Sequence, residues 1–98
     1  MPMHLATARL VLRLPEASSL KDKRMVVRSV VERTRNRFNV SIAEIETQDV
    51  WRTATLGLVC LSGDARHAQE MLDKIVDFIE RERLDAEVGE VETELIAL

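Results

Sequence analysis

Residues 5–14 alternate in polarity. Ala6, Ala8, Leu10, Leu12 and Leu14 fall on one side and Thr7, Arg9, Val11 and Arg13 on the other, which predicts a strand with one buried face. Pro15 ends it. The period then changes to that of a helix. Ser19 is a good N-cap, with Asp22 three residues on in a capping-box position. At 100° per residue, Leu20, Val26, Val27, Val30, Val31, Thr34 and Phe38 share one broad sector, so the helix runs over 20–37. Residues 40–47 read as a second strand, and the Gln48-Asp49-Val50-Trp51 segment turns the chain. Residues 53–61 form a third strand that is apolar on both sides between Leu56 and Leu61, the pattern of a central strand covered on both faces. Asp64 caps a second helix whose buried stripe is Ala65, Ala68, Leu72, Ile75, Val76 and Ile79. Residues 87–97 alternate loosely and give a last strand.

The order β-α-β-β-α-β, with two right-handed crossovers, predicts an α+β ferredoxin-like sandwich: four antiparallel strands and two helices on one face. A chain of 98 residues is read as one domain over 1–98, in which roughly 65% of the unfolded surface is buried. Helices on one side leave the other face of the sheet to be covered. Val11, Val59 or Leu61 on that face suggest a homodimer through the sheet, the alternative being ordinary exposure of scattered apolar side chains.

Composition narrows the function classes. No apolar run approaches the ~20 residues of a membrane span, no secretory signal opens the chain, and Cys60 is the single cysteine. These features favour the cytoplasm. Three glycines leave no Walker or dinucleotide fingerprint, and the Pro15–Ser19 loop has none to wrap a phosphate. There is no CxxC for an iron–sulfur centre or soft metal. His67 and Glu70 stand at i, i+3, but only His4 and Cys60 could join them, so an exposed imidazole is the plainer reading and no metal site is expected. No motif supplies Cys60 with a base, and it reads as a core side chain. No cofactor is implied and no catalytic residue is assigned, although carboxylates can converge without a linear motif.

Charge is unevenly placed. Residues 9–37 hold nine basic and three acidic groups, a balance of +6 in a chain whose net charge is −3. With Lys21 at 0°, Arg24, Arg35 and Arg28 fall at about 300°, 320° and 340°, a stripe about 21 Å long beside the apolar sector. Arg33 and Arg37 lie on the other flank. Such a stripe can meet consecutive phosphates. Three aromatic residues and no RNP signature rule out an RRM-type sheet, so RNA would be met by backbone or shape through the helix. The plainer reading is a solvated face with weak ion pairs. Lys23 points at about 200°, into the apolar sector, and must snorkel outward or find a carboxylate, for which Glu44, Glu46 and Asp49 are the candidates. An ion pair with Glu44, tying helix to sheet, is the expected role, the alternative being a ligand-binding lysine. Trp51, the only indole, either plugs a core edge or anchors a partner.

The blocks Ser19-Leu20-Lys21-Asp22-Lys23-Arg24, Arg35 to Glu44 (RNRFNVSIAE), Gln48-Asp49-Val50-Trp51, and Leu56-Gly57 before Ser62-Gly63-Asp64 resemble the YlxP-like family, a bacterial domain of unknown function. The resemblance covers nearly the whole chain. It implies a ferredoxin-like fold and a gene neighbourhood shared with translation initiation and ribosome-maturation factors, and it carries no catalytic residues. The expectation is a non-enzymatic domain associating with RNA or a ribosomal particle through its basic first helix. The alternatives are a protein-interaction or dimerisation module through the sheet face, and a regulatory domain for a small molecule of unknown identity.

Overall fold

The computed structural model describes residues 2–82 and 86–98. The elements are β1 (His4–Arg13), α1 (Leu20–Arg37), β2 (Ser41–Glu44), β3 (Thr53–Ser62), α2 (Ala65–Arg81) and β4 (Glu87–Ala97). They form one antiparallel sheet in the order β2-β3-β1-β4, with both helices on one side, as the β-α-β-β-α-β pattern requires. The alternating side of β1 and the even-numbered positions of β3 make the floor of the core: Ala6, Ala8, Leu10, Leu12 and Leu14 beside Ala54, Leu56, Leu58 and Cys60. Helix α2 seals it with Ala68, Leu72, Ile75 and Ile79, while α1 contributes Val27 and Val30 over the β2 edge.

Local chemistry sets the ends of α1. The Ser19 hydroxyl accepts from the Asp22 amide at 3.1 Å, a normal N-cap. The reciprocal bond of a capping box is replaced. Asp22 Oδ2 accepts from both the amide (3.1 Å) and the hydroxyl (2.5 Å) of Ser18, two donors where a box offers only one. These bonds, the hydroxyl's first, hold the Asp22 carboxyl below its ordinary value. At the far end Phe38 leaves the helix and stacks edge-on against Phe78 of α2, with centroids 5.4 Å apart.

Two departures from the expected pattern have physical causes. The second strand ends at Glu44, not 47. Beyond Ile45, whose amide still bonds Thr55 O, the Thr47 side chain takes a ladder position by accepting from the Thr55 amide at 2.7 Å. The Thr47 carbonyl is thereby free to turn inward. The third strand is central, but its two sides are not equally covered among the described residues: the side away from the helices is closed over at Thr55, which is buried, and open toward its far end. At that end Val59 and Leu61 are 38% and 55% exposed. In β4 a bulge sets Gly89 and Glu90 against the single residue Val11. The Arg13 guanidinium crosses Gly89, where a Cβ would lie 2.7 Å from Nη1.

Candidate functional site

Helix α1 and the β2–β3 connection (residues 45–52) meet around one buried cation. Lys23 is fully buried. Its ammonium lies 2.7 Å from Glu44 Oε2 and donates to the carbonyls of Thr47 and Val50, the latter at 2.6 Å. All three donors of the group are thus used. Glu44 also accepts from the Thr47 hydroxyl at 3.0 Å. The pair is therefore surrounded by hydrogen bonds, the condition under which a buried ion pair is tolerated. Of the other two carboxylates considered for Lys23, Glu46 pairs with Arg9 on the opposite face of the sheet.

This arrangement pins the loop against the first turns of α1. A second tie runs from Arg52, whose Nε donates to Ala17 O at 3.4 Å and whose carbonyl accepts from the Leu14 amide. Between the anchored residues stands Trp51, half-exposed beside the half-exposed Val50. It does not plug the core, and it lies at the Arg13 end of the sheet, apart from Val59.

The six other cations of α1 separate by what they touch. Arg33 pairs with Glu82 at 3.0 Å. The Arg37 guanidinium sits over the rings of Phe38 and Phe78, at 5.8 and 5.3 Å. Arg35 donates to Ile42 O at 2.8 Å, tying the helix end to β2. Lys21, Arg24 and Arg28 are exposed and have no ion-pair partner among the described residues. The stripe is also interrupted. Exposed Glu32 falls about 20° from Lys21 on the helical wheel, between Arg28 and Arg35, a signal the sequence carried. The continuous cationic surface is Lys21, Arg24 and Arg28.

The bare face of the sheet is the second surface. Across its centre Gly57 leaves an open depression of about 470 Å³ lined by Thr7, Arg9, Ala43, Ile45 and neighbouring residues. Ile45 leans over Gly57, 3.1 Å from where a Cβ would stand. Val11 is half-buried on this face and Val59 exposed.

The remaining polar candidates have ordinary partners. His67 Nδ1 is 3.2 Å from the Ser62 hydroxyl beside the Asp64 cap. Cys60 is buried, and burial raises its thiol pKa above the ordinary value. Among the described residues no three His, Cys, Asp or Glu side chains converge to hold a metal, and no helix is long and apolar enough to cross a membrane.

The chain is 37% identical over 65 residues to the uncharacterized protein YlxP of Bacillus subtilis (strain 168), a match spanning 66% of this chain and 71% of that protein. A family model described as a protein of unknown function, DUF503, matches residues 5–93, nearly the whole chain, and the protein belongs to that family.

Proposed function

We propose that this protein is a non-catalytic binding domain that meets the phosphate backbone of RNA, free or in a ribosomal particle, through Lys21, Arg24 and Arg28 of α1. One observation supports the reading above others. These three cations stay exposed and unpaired among the described residues, while Arg33, Arg35 and Arg37 of the same helix are engaged in holding the fold. A chain of net charge −3 gains nothing in solubility from concentrating cations on one helix end, whereas a polyanion site needs such a concentration. The helix is rigidly seated there, because Lys23 ties its first turns to the 45–52 loop.

Three contacts to a single-stranded backbone give a salt slope near −2, so binding weakens about 20-fold between 50 and 200 mM salt. Filter binding of ribosomal RNA across that range, with wild type and the triple variant K21E/R24E/R28E, tests the reading. The variant should lose the salt-dependent component, and a control pair on α2, R66E/K74E, should keep it. A flat salt dependence, or unchanged binding by a folded triple variant, removes the proposal.

A further inference from the structure

The register of the sheet gathers apolar side chains at one end of the bare face. Leu5 on β1 lies between Leu61 on β3 and Ile96 on β4. One rung outward, Met3 and Leu98 exchange both backbone hydrogen bonds, at 3.0 and 2.8 Å. One rung inward, Val59 stands opposite Thr7. Alternation along the strands puts all six on the side away from the helices. Leu61 and Leu98 are 55% and 65% exposed. This is a contiguous patch across three strands, not the scatter of single apolar residues that every surface shows. Its rim is polar and carries both signs, with Arg9 on β1 and Glu92 and Glu94 on β4, each opposite its β1 neighbour.

We infer that the patch is the centre of a two-fold interface with a second copy of this chain, formed face to face. Three features select this occupant. The patch itself is uncharged, so it can meet itself across a two-fold axis. The rim holds both signs, so the same rotation can set the cation of one copy against the carboxylates of the other. The size also suffices. Three strands of about nine residues and the four-residue β2, at about 4.8 Å by 3.4 Å per residue, give a plan area near 500 Å² per copy, hence about 1,000 Å² in all, the threshold a biological interface has to clear. Edge-to-edge pairing through β4 is disfavoured. That strand carries Glu87, Glu90, Glu92 and Glu94, and an antiparallel β4–β4 pair would bring the two sets of like charges together.

Sedimentation equilibrium of the wild-type protein at roughly 100 μM, above the micromolar dissociation constant that even a modest interface supports, should give a mass near twice the 11.2 kDa of the chain. Leu61→Glu places a carboxylate in the patch of each copy, at a position already half in water, and should weaken the dimer at least about 100-fold while far-UV circular dichroism stays that of the wild type. Should Leu61→Glu fail to fold, Leu98→Glu is read in its place. The variant K21E/R24E/R28E, altered only on the helix side, should remain dimeric. A monomeric wild type overturns the inference. So does a folded Leu61→Glu or Leu98→Glu variant that stays dimeric, because the contact would then lie on an edge or on the helices. The triple variant's loss of the dimer would equally place the contact elsewhere.

Discussion

Replacing Lys23 with methionine isolates the buried cation that joins α1 to the 45–52 loop. Methionine keeps the unbranched stem and removes the ammonium. The Glu44 carboxylate, whose side chain is only 15% exposed, would keep the Thr47 hydroxyl alone, and the carbonyls of Thr47 and Val50 would lose their shared donor. Removing one member of a buried ion pair costs about 3–5 kcal/mol, because the other charge is left behind. Against a total of ~5–15 kcal/mol for an ordinary domain, that is a large fraction. At about 4–8 °C per kcal/mol for a domain of this size, Tm should drop by about 12–40 °C. Urea unfolding followed by circular dichroism gives the free energy, and Trp51 emission, from the residue next to Val50, reports release of the loop. Much of the loss is a stranded carboxylate, so K23M/E44L should recover at least about 2 kcal/mol relative to K23M, a coupling that a double-mutant cycle reads directly. A loss below ~1 kcal/mol in K23M, the range of an exposed pair, or strictly additive single changes, would refute the account of Lys23 as a buried tether.

Two further predictions use groups whose titration the structure perturbs. The Asp22 carboxyl has its pKa lowered below 3.8, chiefly by the Ser18 hydroxyl. Its contribution to stability is therefore present above pH 3.8 and lost as pH falls through the folded value. Ser18→Ala should move the carboxyl resonance of Asp22 back toward an ordinary titration, and an unchanged titration would dissociate the shift from that bond. The Cys60 thiol has its pKa raised from 9.0 by desolvation, so stability should fall as pH rises past 9.0 toward the folded value. Its labelling by a disulfide reagent at pH 8 should follow global unfolding in urea, and fast labelling of the native protein would contradict its burial.

Much of the fold was legible because the two periods are clear. The alternation of β1 separates Ala6, Ala8, Leu10, Leu12 and Leu14 from Thr7, Arg9, Val11 and Arg13, and those sides are the core side and the bare side in the structure. The bounds of α1 follow from Ser19 and the 3.6-residue stripe. Lys23 could be singled out because its wheel angle puts a charge among valines, but the choice among Glu44, Glu46 and Asp49 depends on the path of the loop, which local pattern does not encode. Arg35 joined the exposed stripe by angle alone. Its bond to Ile42 O depends on how closely the helix end approaches β2, a tertiary distance. Of the apolar patch, Val59 and Leu61 were legible from β3, and the rest was hidden for a related reason. The patch spans Met3, Leu61 and Ile96, far apart in sequence, and the β4 bulge opposite Val11 breaks the alternation that would have assigned the faces of that strand.

The two proposed surfaces lie at opposite ends of the molecule, and that separation has a measurable consequence. The three exposed cations Lys21, Arg24 and Arg28 occupy the start of α1, above the Arg13 end of β1 and on the helix side, whereas the patch lies at the His4 end of the bare face. The longest dimension is 48 Å. A face-to-face dimer therefore carries two cationic sites that point away from the interface and from each other. An RNA long enough to reach both gains from effective concentration, by a factor of up to about 10²–10⁴, and a short oligonucleotide gains nothing. Leu61→Glu should then weaken binding of ribosomal RNA by at least about 100-fold while leaving a short oligonucleotide unaffected, although Leu61 is remote from every cation involved. Equal losses for the long and the short ligand would place Leu61 in direct contact with RNA and shift the polyanion site to the sheet. Loss for neither, with the dimer demonstrably broken, would mean that one copy alone accounts for binding and that the two surfaces act independently.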